Sequence, residues 1–582
     1  VNINCGVVAL SPRGKHLLPS LWEEALELGG DAYDMTGAVT HVDDGRAMVN
    51  AQAAAGTWKA PTWIDDDQGT ISLSQPPVSF TEEVKEPAWE EWARRTLRTD
   101  GGRASVQPGY FGMEMRRDGT FQAWNDLFGF GRSYVVQNQH FLAVGNHIGM
   151  VSLFVDLPLE VDMYGCDVLS QVGFWPEDAS PISAVRRLGP ADVITVTESG
   201  AVHRHRYATD EEFYGYRETE PDVAAVADSL AVLTANGGEI AVQSPVVHLS
   251  GGQDSRVTAA AWAAGGKPAM VQTVGTLQGE VDIARQLVAS LEEERSLEER
   301  GLTHRVTEPS PTRLSTFSIE DRLSQAMLMW DGDFAPGNLK AAVRRPPARA
   351  RLTIGGANGE VMHGIYYSTE QILKIVRGLP HPIDRVGTAF NGRSNTERSR
   401  PAVLEFLAHQ VDFTRGLGHT DATALNVFQM HSKFRRWINA QLTYGSFVLL
   451  LNPVFVRASL DLTPEQRLGK VMQKALSRAL VPQWEEVPYY KATLAESTTT
   501  NRQRGIRTWD TSPGAMERLL HERTAWQQWF EPSVMADLER IVHSGEGNGG
   551  HESTLNKAYV LDGIPDHVAN LETIRRSIWA ER

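Results

Sequence analysis

The run Val246–Arg256 constrains this chain more than any other stretch. Val246-Val247-His248-Leu249 is a short apolar segment of strand type, Ser250-Gly251-Gly252 follows, and the Ala-rich helical pattern Ser255–Ala264 begins almost at once. A buried strand that turns through two glycines into a helix is a unit of a parallel α/β sheet. Glycines let the backbone approach an anion closely, and the free N–H groups of the first helical turn point at it. Ser250 and Ser255 add hydroxyl donors. Asp254 would repel a bare phosphate, so its presence implies a divalent cation between them. Pro268–Val274 (strand) and Val281–Leu291 (helix) continue the alternation, preceded by a helical Val223–Thr234.

Upstream the grammar is different. Tyr110–Met115, Phe121–Trp124, Ser133–Val136 and His140–Val144 are short strand-like runs separated by turn signals such as Asp118-Gly119. Val193–Val196 and Val202–Tyr207 flank Glu198-Ser199-Gly200. This spacing predicts antiparallel hairpins. Thr209–Asp222 is polar and acidic and reads as a linker, which divides the chain into 1–210 and 220–582. A chain of 582 residues is long enough for two cores. From Ile365 onward the pattern is mainly helical, as in Arg398–Val411 and Gly469–Leu480, and Ser544–Gly550 reads as a loop.

Charge and cysteine content exclude several classes. A formal net charge of -16 argues against a general nucleic-acid binder, although Arg344, Arg345, Arg349 and Arg351 cluster locally. Cys5 and Cys166 are the only cysteines, so neither a disulfide framework nor a C-x-x-C zinc site is expected. No apolar stretch is long enough to span a bilayer and the first residues lack a signal-peptide pattern. The expectation is a cytoplasmic protein without membrane or nucleic-acid partners.

Ser250-Gly251-Gly252-Gln253-Asp254-Ser255 resembles the S-G-G-x-D-S pyrophosphate loop of ATP pyrophosphatases, which split ATP between the α- and β-phosphates. The chain further resembles the asparagine synthetase branch. Gly355-Gly356-Ala357-Asn358-Gly359-Glu360 follows the strand-like Arg351–Ile354 where that branch carries S-G-x-G-x-D. Leu451–Val456 resembles its R-x-P-F-L segment, and Lys470–Lys474 with Val481-Pro482 its K-x-x-L-R…L-P stretch. The resemblance implies ATP and Mg2+ as cofactors, with Asp254 and Glu360 as metal carboxylates. It implies ATP or pyrophosphate contacts from Leu249, Ser250, Gly251, Gly252, Asp254, Ser255, Arg256, Val274 and Gly356. Lys491, in Pro488-Tyr489-Tyr490-Lys491, takes the place of a catalytic lysine, where a cation would balance negative charge in the transition state. Tyr489 stands where the family has arginine. Lys470 is a second candidate, and His363 a candidate base.

The first third resembles a class II glutamine amidotransferase domain, in Asp118–Gly129 with Ser133-Tyr134 and in Ala184–Pro190. The implied fold is an Ntn-type antiparallel β-sandwich followed by a parallel-sheet α/β ATP pyrophosphatase domain with a helical C-terminal part. A working glutaminase needs cysteine as its first residue, because the α-amine is the base. Cys5, in Asn4-Cys5-Gly6-Val7, is preceded by four residues, and Ala51–Gln75 lacks the Asn-Gly pair of the glutamine-binding motif. The expectation is a degenerate domain without glutaminase activity.

Without ammonia from glutamine, an amine of the substrate must attack. Ser250–Arg256, Gly355–Glu360, Thr273-Val274-Gly275, Glu280–Arg285 and Trp330–Lys340 resemble lasso peptide cyclases, which join a peptide's Asp or Glu side chain to its N-terminal amine. That reading implies a precursor peptide as substrate, with a leader peptidase and a leader-recognition protein as partners. β-Lactam synthetases place tyrosine where Ala357 stands. A β-lactam or asparagine synthetase-like ligase of a small amino acid, and a decayed scaffold, remain the alternatives.

Overall fold

A computed structural model describes residues 2–580 apart from 34–37, 44, 52–56, 294, 309–316, 342–350, 387–395, 439–441, 443–445, 491–511 and 548. Lys491, Arg344, Arg345 and Arg349 lie outside the described residues. The fold is mixed α/β, with two antiparallel sheets in the first part and one parallel sheet in the second.

Strands β1 (Ile3–Ala9), β2 (Val39–Asp43), β3 (Arg46–Ala51), β4 (Trp63–Asp65), β5 (Gly69–Leu73), β6 (Phe111–Arg116), β7 (Phe121–Asn125), β8 (Tyr134–Gln137), β9 (Phe141–Gly145), β10 (Arg186–Arg187), β11 (Asp192–Val196) and β12 (Val202–Arg206) build the antiparallel part. They form one sheet of order β10-β8-β9-β1-β3-β2 and a second of order β12-β11-β7-β6-β5-β4. The hairpin turns expected from sequence are present: Gly119 (φ 85°) and Gly200 (φ 83°) adopt the left-handed conformation, and Asp118 Oδ1 accepts from the Thr120 N–H at 2.8 Å.

Strand alternation sorts the side chains into two layers. Val8, Met48, Leu142 and Val144 face Met113, Phe121, Ala123 and Ile194 across the sandwich. Cys5, Val7, Val49 and Ala143 face the other way, against helix α1 (Pro12–Ala32). The Ser11 hydroxyl caps α1, accepting from the Gly14 N–H at 3.0 Å, and Leu17, Leu18, Leu21 and Ala25 supply its buried face.

The parallel sheet contains β13 (Val246–His248), β14 (Ala269–Val274), β15 (Leu302–Thr307) and β16 (Thr353–Ile354), in the order β15-β14-β13-β16. Helix α2 (Val223–Ile240) precedes β13, α3 (Asp254–Gly265) joins β13 to β14, and α4 (Gln278–Glu292) leads toward β15. Small residues let α2 and α3 approach closely: Ala259, Ala260 and Ala261 are buried, and the Thr234 hydroxyl donates to the Ala261 carbonyl at 2.9 Å.

One apolar core runs from Ile64, Trp124 and Phe128 of the sandwich through Val226, Val247 and Trp262 to Trp484. The long C-terminal helix Gly549–Ala580 returns to the outer side of the first sheet, where Trp579 Nε1 donates to the Leu153 carbonyl at 2.9 Å. Among the described residues, no helix is long and apolar enough to cross a membrane.

Candidate functional site

Strand β13 holds the key to where chemistry can happen. Its chain leaves through α3 toward β14 on one side, while β16 lies on its other side. Loops that leave neighbouring strands in opposite directions open a crevice at the strands' carboxyl ends, and α/β sheets bind ligands there. The two loops at this point are Ser250–Ser255 after β13 and Gly355–Glu360 after β16, the segments singled out in the sequence.

The first loop is a tight turn closed around hydroxyls. The Ser250 and Ser255 hydroxyls are 2.9 Å apart, Ser255 Oγ accepts from the Ser250 N–H at 3.1 Å, and Ser250 Oγ accepts from the Gly252 N–H at 3.1 Å. Helix α3 begins at Asp254 with no side-chain cap. Its first turn therefore carries N–H groups of the kind that bind anions.

The second loop presses onto the first, and glycine makes this possible. A Cβ on Gly356 would stand 2.7 Å from Asp254 Cβ, and one on Gly359 would overlap the Asp254 carboxyl carbon. Asn358 turns the chain in the left-handed conformation (φ 69°) and donates to the Leu450 carbonyl. The turn Gly359–Met362 that follows presents Glu360. Asn426 Nδ2 holds the His363 carbonyl at 2.8 Å, and the Arg467 guanidinium binds the Val361 carbonyl.

Four charged groups meet here. Burial, then the Asp254 charge, push the Glu360 carboxyl above its ordinary range. Its Oε2 is shielded from solvent and has no hydrogen-bond partner among the described residues. His363 bridges Asp254 and Lys470: its Nε2 lies 2.8 Å from Asp254 Oδ1, and its Nδ1 meets Lys470 Nζ. Between a carboxylate and an ammonium, Nε2 is placed to donate and Nδ1 to accept. Both nitrogens are therefore engaged, and the ring links Asp254 to Lys470. Lys470 sits in the left-handed region (φ 58°) just before the helix α5 (Val471–Leu480), and burial lowers its pKa against the pull of Asp254.

Lys433 was not foreseen. It lies on a π-helical turn, Gln429–Phe434, with Nζ 5.7 Å from the centre of the Tyr366 ring. Burial lowers its pKa and the Glu360 charge opposes that shift. No local sequence signal marks it, because the turn depends on tertiary packing.

The remaining expected residues are placed as follows. Leu249, buried at the end of β13, Val274, 40% exposed at the end of β14, and Gly356 lie at the carboxyl ends of three adjacent strands. Arg256 departs from its expected role. Its fully buried guanidinium donates to the Val487 and Pro488 carbonyls at 2.7 and 2.6 Å and stacks 3.8 Å from the Tyr489 ring centre. Those bonds engage it within the protein instead of leaving it to face a phosphate. Tyr490, the residue before Lys491, donates its N–H to the Gly251 carbonyl at 3.1 Å.

The donor set suits magnesium. Among the described residues no group of three or more His, Cys, Asp or Glu forms a cage for a metal. Magnesium bound with a nucleotide needs only one or two carboxylates, the phosphates supplying the rest. Asp254 and Glu360 would supply such a pair, the shielded Glu360 Oε2 having no hydrogen-bond partner among the described residues.

No family model matches the chain, and no curated protein does. Solved structures that are similar in part include two enzymes. The glutamine phosphoribosylpyrophosphate (PRPP) amidotransferase from B. subtilis complexed with ADP and GMP shares 12% identity over 53% of this chain and 82% of that one, with a TM-score of 0.24. A structure described as the allosteric regulatory enzyme of purine biosynthesis shares 11% identity over 53% and 81%, with a TM-score of 0.23. Similarity at these scores is too slight to bear on what this chain does.

Proposed function

We propose that the chain is an ATP-dependent, AMP-forming carbon–nitrogen ligase that activates a carboxylate by adenylation. The observation that carries this reading is the pairing of Ser250–Ser255 with Glu360 across the crevice between β13 and β16. The loop's hydroxyls and the first N–H groups of α3 bind the β- and γ-phosphates. Asp254 and Glu360 would hold the magnesium of Mg·ATP, which would draw charge from the phosphates and make pyrophosphate a better leaving group. Leu249, Val274 and Gly356 border the adenosine.

A carboxylate oxygen of the substrate attacks the α-phosphorus and the bond to the β-phosphate breaks. An amine then attacks the acyl carbon, the bond to AMP breaks, and the amine's proton leaves with the solvent or the phosphate. Lys470, oriented by His363, and Lys491 balance the negative charge on the tetrahedral intermediate.

The substrate reading we favour is a precursor peptide, cyclised between an Asp or Glu side chain and its N-terminal amine as in lasso peptide cyclases. The position where β-lactam synthetases keep a tyrosine is Ala357, whose side chain packs against the apolar core. Holding the peptide folded would convert bond formation into an intramolecular step of high effective concentration. A leader peptidase and a leader-recognition protein would be its partners, in the cytoplasm.

The test uses a leader-free peptide with 18O in its acceptor carboxylate, Mg·ATP and the full chain. The reading requires loss of one water from the peptide and 18O in the released AMP. Release of ADP, or AMP without the label, would end it. Pyrophosphate release with a small amino acid or ammonium but not with peptide would keep the adenylation and replace the substrate.

A further inference from the structure

The segment Val487–Tyr490 lies across the Ser250–Arg256 turn, and the contacts that hold it there bear on the turn itself. The Arg256 guanidinium is fully buried, so its surroundings have to compensate the charge. Two carbonyls of the segment, Val487 and Pro488, and the face of Tyr489 do so. Next along the chain, the Tyr490 N–H donates to the Gly251 carbonyl at 3.1 Å. A Cβ on Gly251 would stand 2.5 Å from Tyr490 Cβ, and one on Gly279, at the start of α4, would overlap the Tyr490 ring. Both glycines leave room for this tyrosine.

The bond to Gly251 has a geometric consequence. A trans peptide is planar, with its C=O and N–H pointing in opposite directions. Fixing the Gly251 carbonyl toward Tyr490 therefore turns the Gly252 N–H away from the segment, onto the side of the turn where it meets Ser250 Oγ at 3.1 Å. Two consecutive glycines would otherwise let this peptide rotate freely.

We propose that Arg256 is a positioning residue: by clamping Val487–Tyr490 onto the turn, it fixes the Gly251–Gly252 peptide with its N–H presented to a bound phosphate. The proposal rests on the reading of Ser250–Ser255 as the triphosphate site. It gives the loop's arginine a task that involves no contact with the nucleotide. Tyr489, in the place of the family's arginine, is the platform of the clamp.

The test compares the full-length chain with Arg256→Met, Arg256→Lys and Tyr489→Ala, titrated with Mg·ATP and separately with Mg·pyrophosphate by calorimetry. Arg256→Met and Tyr489→Ala are expected to weaken both ligands about ten-fold, as loss of a charge-assisted or cation–π contact does. Arg256→Lys, keeping one donor, should recover part of this. The double variant should bind no more weakly than the worse single one, since both remove the same clamp. A purely structural pin would lower the fraction of binding-competent protein and leave the dissociation constants unchanged, and that result would overturn the proposal. Should Arg256→Met not fold, Tyr489→Ala alone decides, because its side chain is only half-buried. Failure of the unsubstituted protein to bind either ligand would instead remove the triphosphate reading. Faster amide exchange at Val487–Tyr490 in Tyr489→Ala would then still register the clamp.

Discussion

Two polar clusters sit at strand ends in this molecule, and they differ in charge. In the sandwich, Asn50 Nδ2 donates to the Thr62 carbonyl (2.9 Å), the Ser72 hydroxyl and the Leu73 carbonyl, and Ser72 donates to Asn4 Oδ1 at 3.0 Å. These are neutral amides and hydroxyls, which tolerate burial once hydrogen-bonded. In the crevice beside β13 the groups are Asp254, Glu360, Lys470 and Lys433, and burial together with the Asp254 charge raises the Glu360 carboxyl. Folding alone does not require such an arrangement, and perturbed charges in a cleft mark sites of chemistry. The difference supports the site proposed at β13.

The comparison breaks if the charged cluster proves dispensable. On the proposed mechanism, Asp254→Ala should reduce AMP formation by roughly a thousand-fold or more, and Glu360→Gln by about a hundred-fold, since each removes a carboxylate that would steady the metal and phosphates. Pyrophosphate release measures both, and chelation of magnesium should match the larger loss. Stability should move the other way. The folded-state pKa of Glu360 is raised, so its contribution is intact at low pH and is lost as pH rises through that value. At neutral pH Glu360→Gln should therefore raise the Tm of the ligand-free protein, while Mg·ATP should stabilise the unsubstituted protein more. A lower Tm for Glu360→Gln would mean that the carboxylate is held by the fold itself.

Glycines sharpen the same contrast. An added methyl at Gly359 would overlap Asp254 Cγ and stand 2.5 Å from its Cβ, so Gly359→Ala should cost about a hundred-fold in turnover by displacing that residue. At Gly6 the methyl would stand 2.8 Å from both Met113 Sδ and Phe121 Cε2 inside the sandwich. Gly6→Ala should destabilise by about 1–3 kcal/mol, as overpacking does, and leave the kcat of the folded fraction unchanged. Denaturant unfolding and active-fraction kinetics read the two effects apart.

What the sequence made legible follows from how local each signal is. The turn at Ser250–Ser255 is encoded by neighbours, so the expected helix Ser255–Ala264 and the observed α3 differ by one residue at each end. The hairpin around Gly119 needed only a residue tolerant of positive φ. Strand β1, a nearly continuous apolar run with Asn4 and Gly6 inside it, gave no clear period. Strand β15, Leu-Thr-His-Arg-Val-Thr, is polar enough to read as loop, yet it pairs along β14 over its whole length. Lys433 and the clamp on Arg256 arise from segments far apart in the chain, joined only by packing. Of the residues expected to act, Asp254, Glu360, His363 and Lys470 are brought together, and Lys491 lies outside the described residues.

The smallest expected effect concerns Cys5, whose resemblance to a catalytic cysteine is confined to its sequence context. It lies in the middle of the first sheet, opposite Val49 and Gly145, with its side chain in the apolar layer beneath α1. Burial pushes the thiol up to about 12, so the nucleophilic thiolate is withheld at neutral pH. A thiol so raised adds stability that is present below its unfolded value and is lost as pH climbs toward about 12. Between pH 7 and 9, iodoacetamide should therefore leave Cys5 unmodified in the native protein and label it only with denaturant present. Cys5→Ala should cost about 1 kcal/mol, a small core truncation, and leave AMP formation at the unsubstituted level. Rapid native labelling of Cys5, or glutamine hydrolysis abolished by Cys5→Ala, would give the sandwich a chemistry of its own and dissolve the distinction between the two regions.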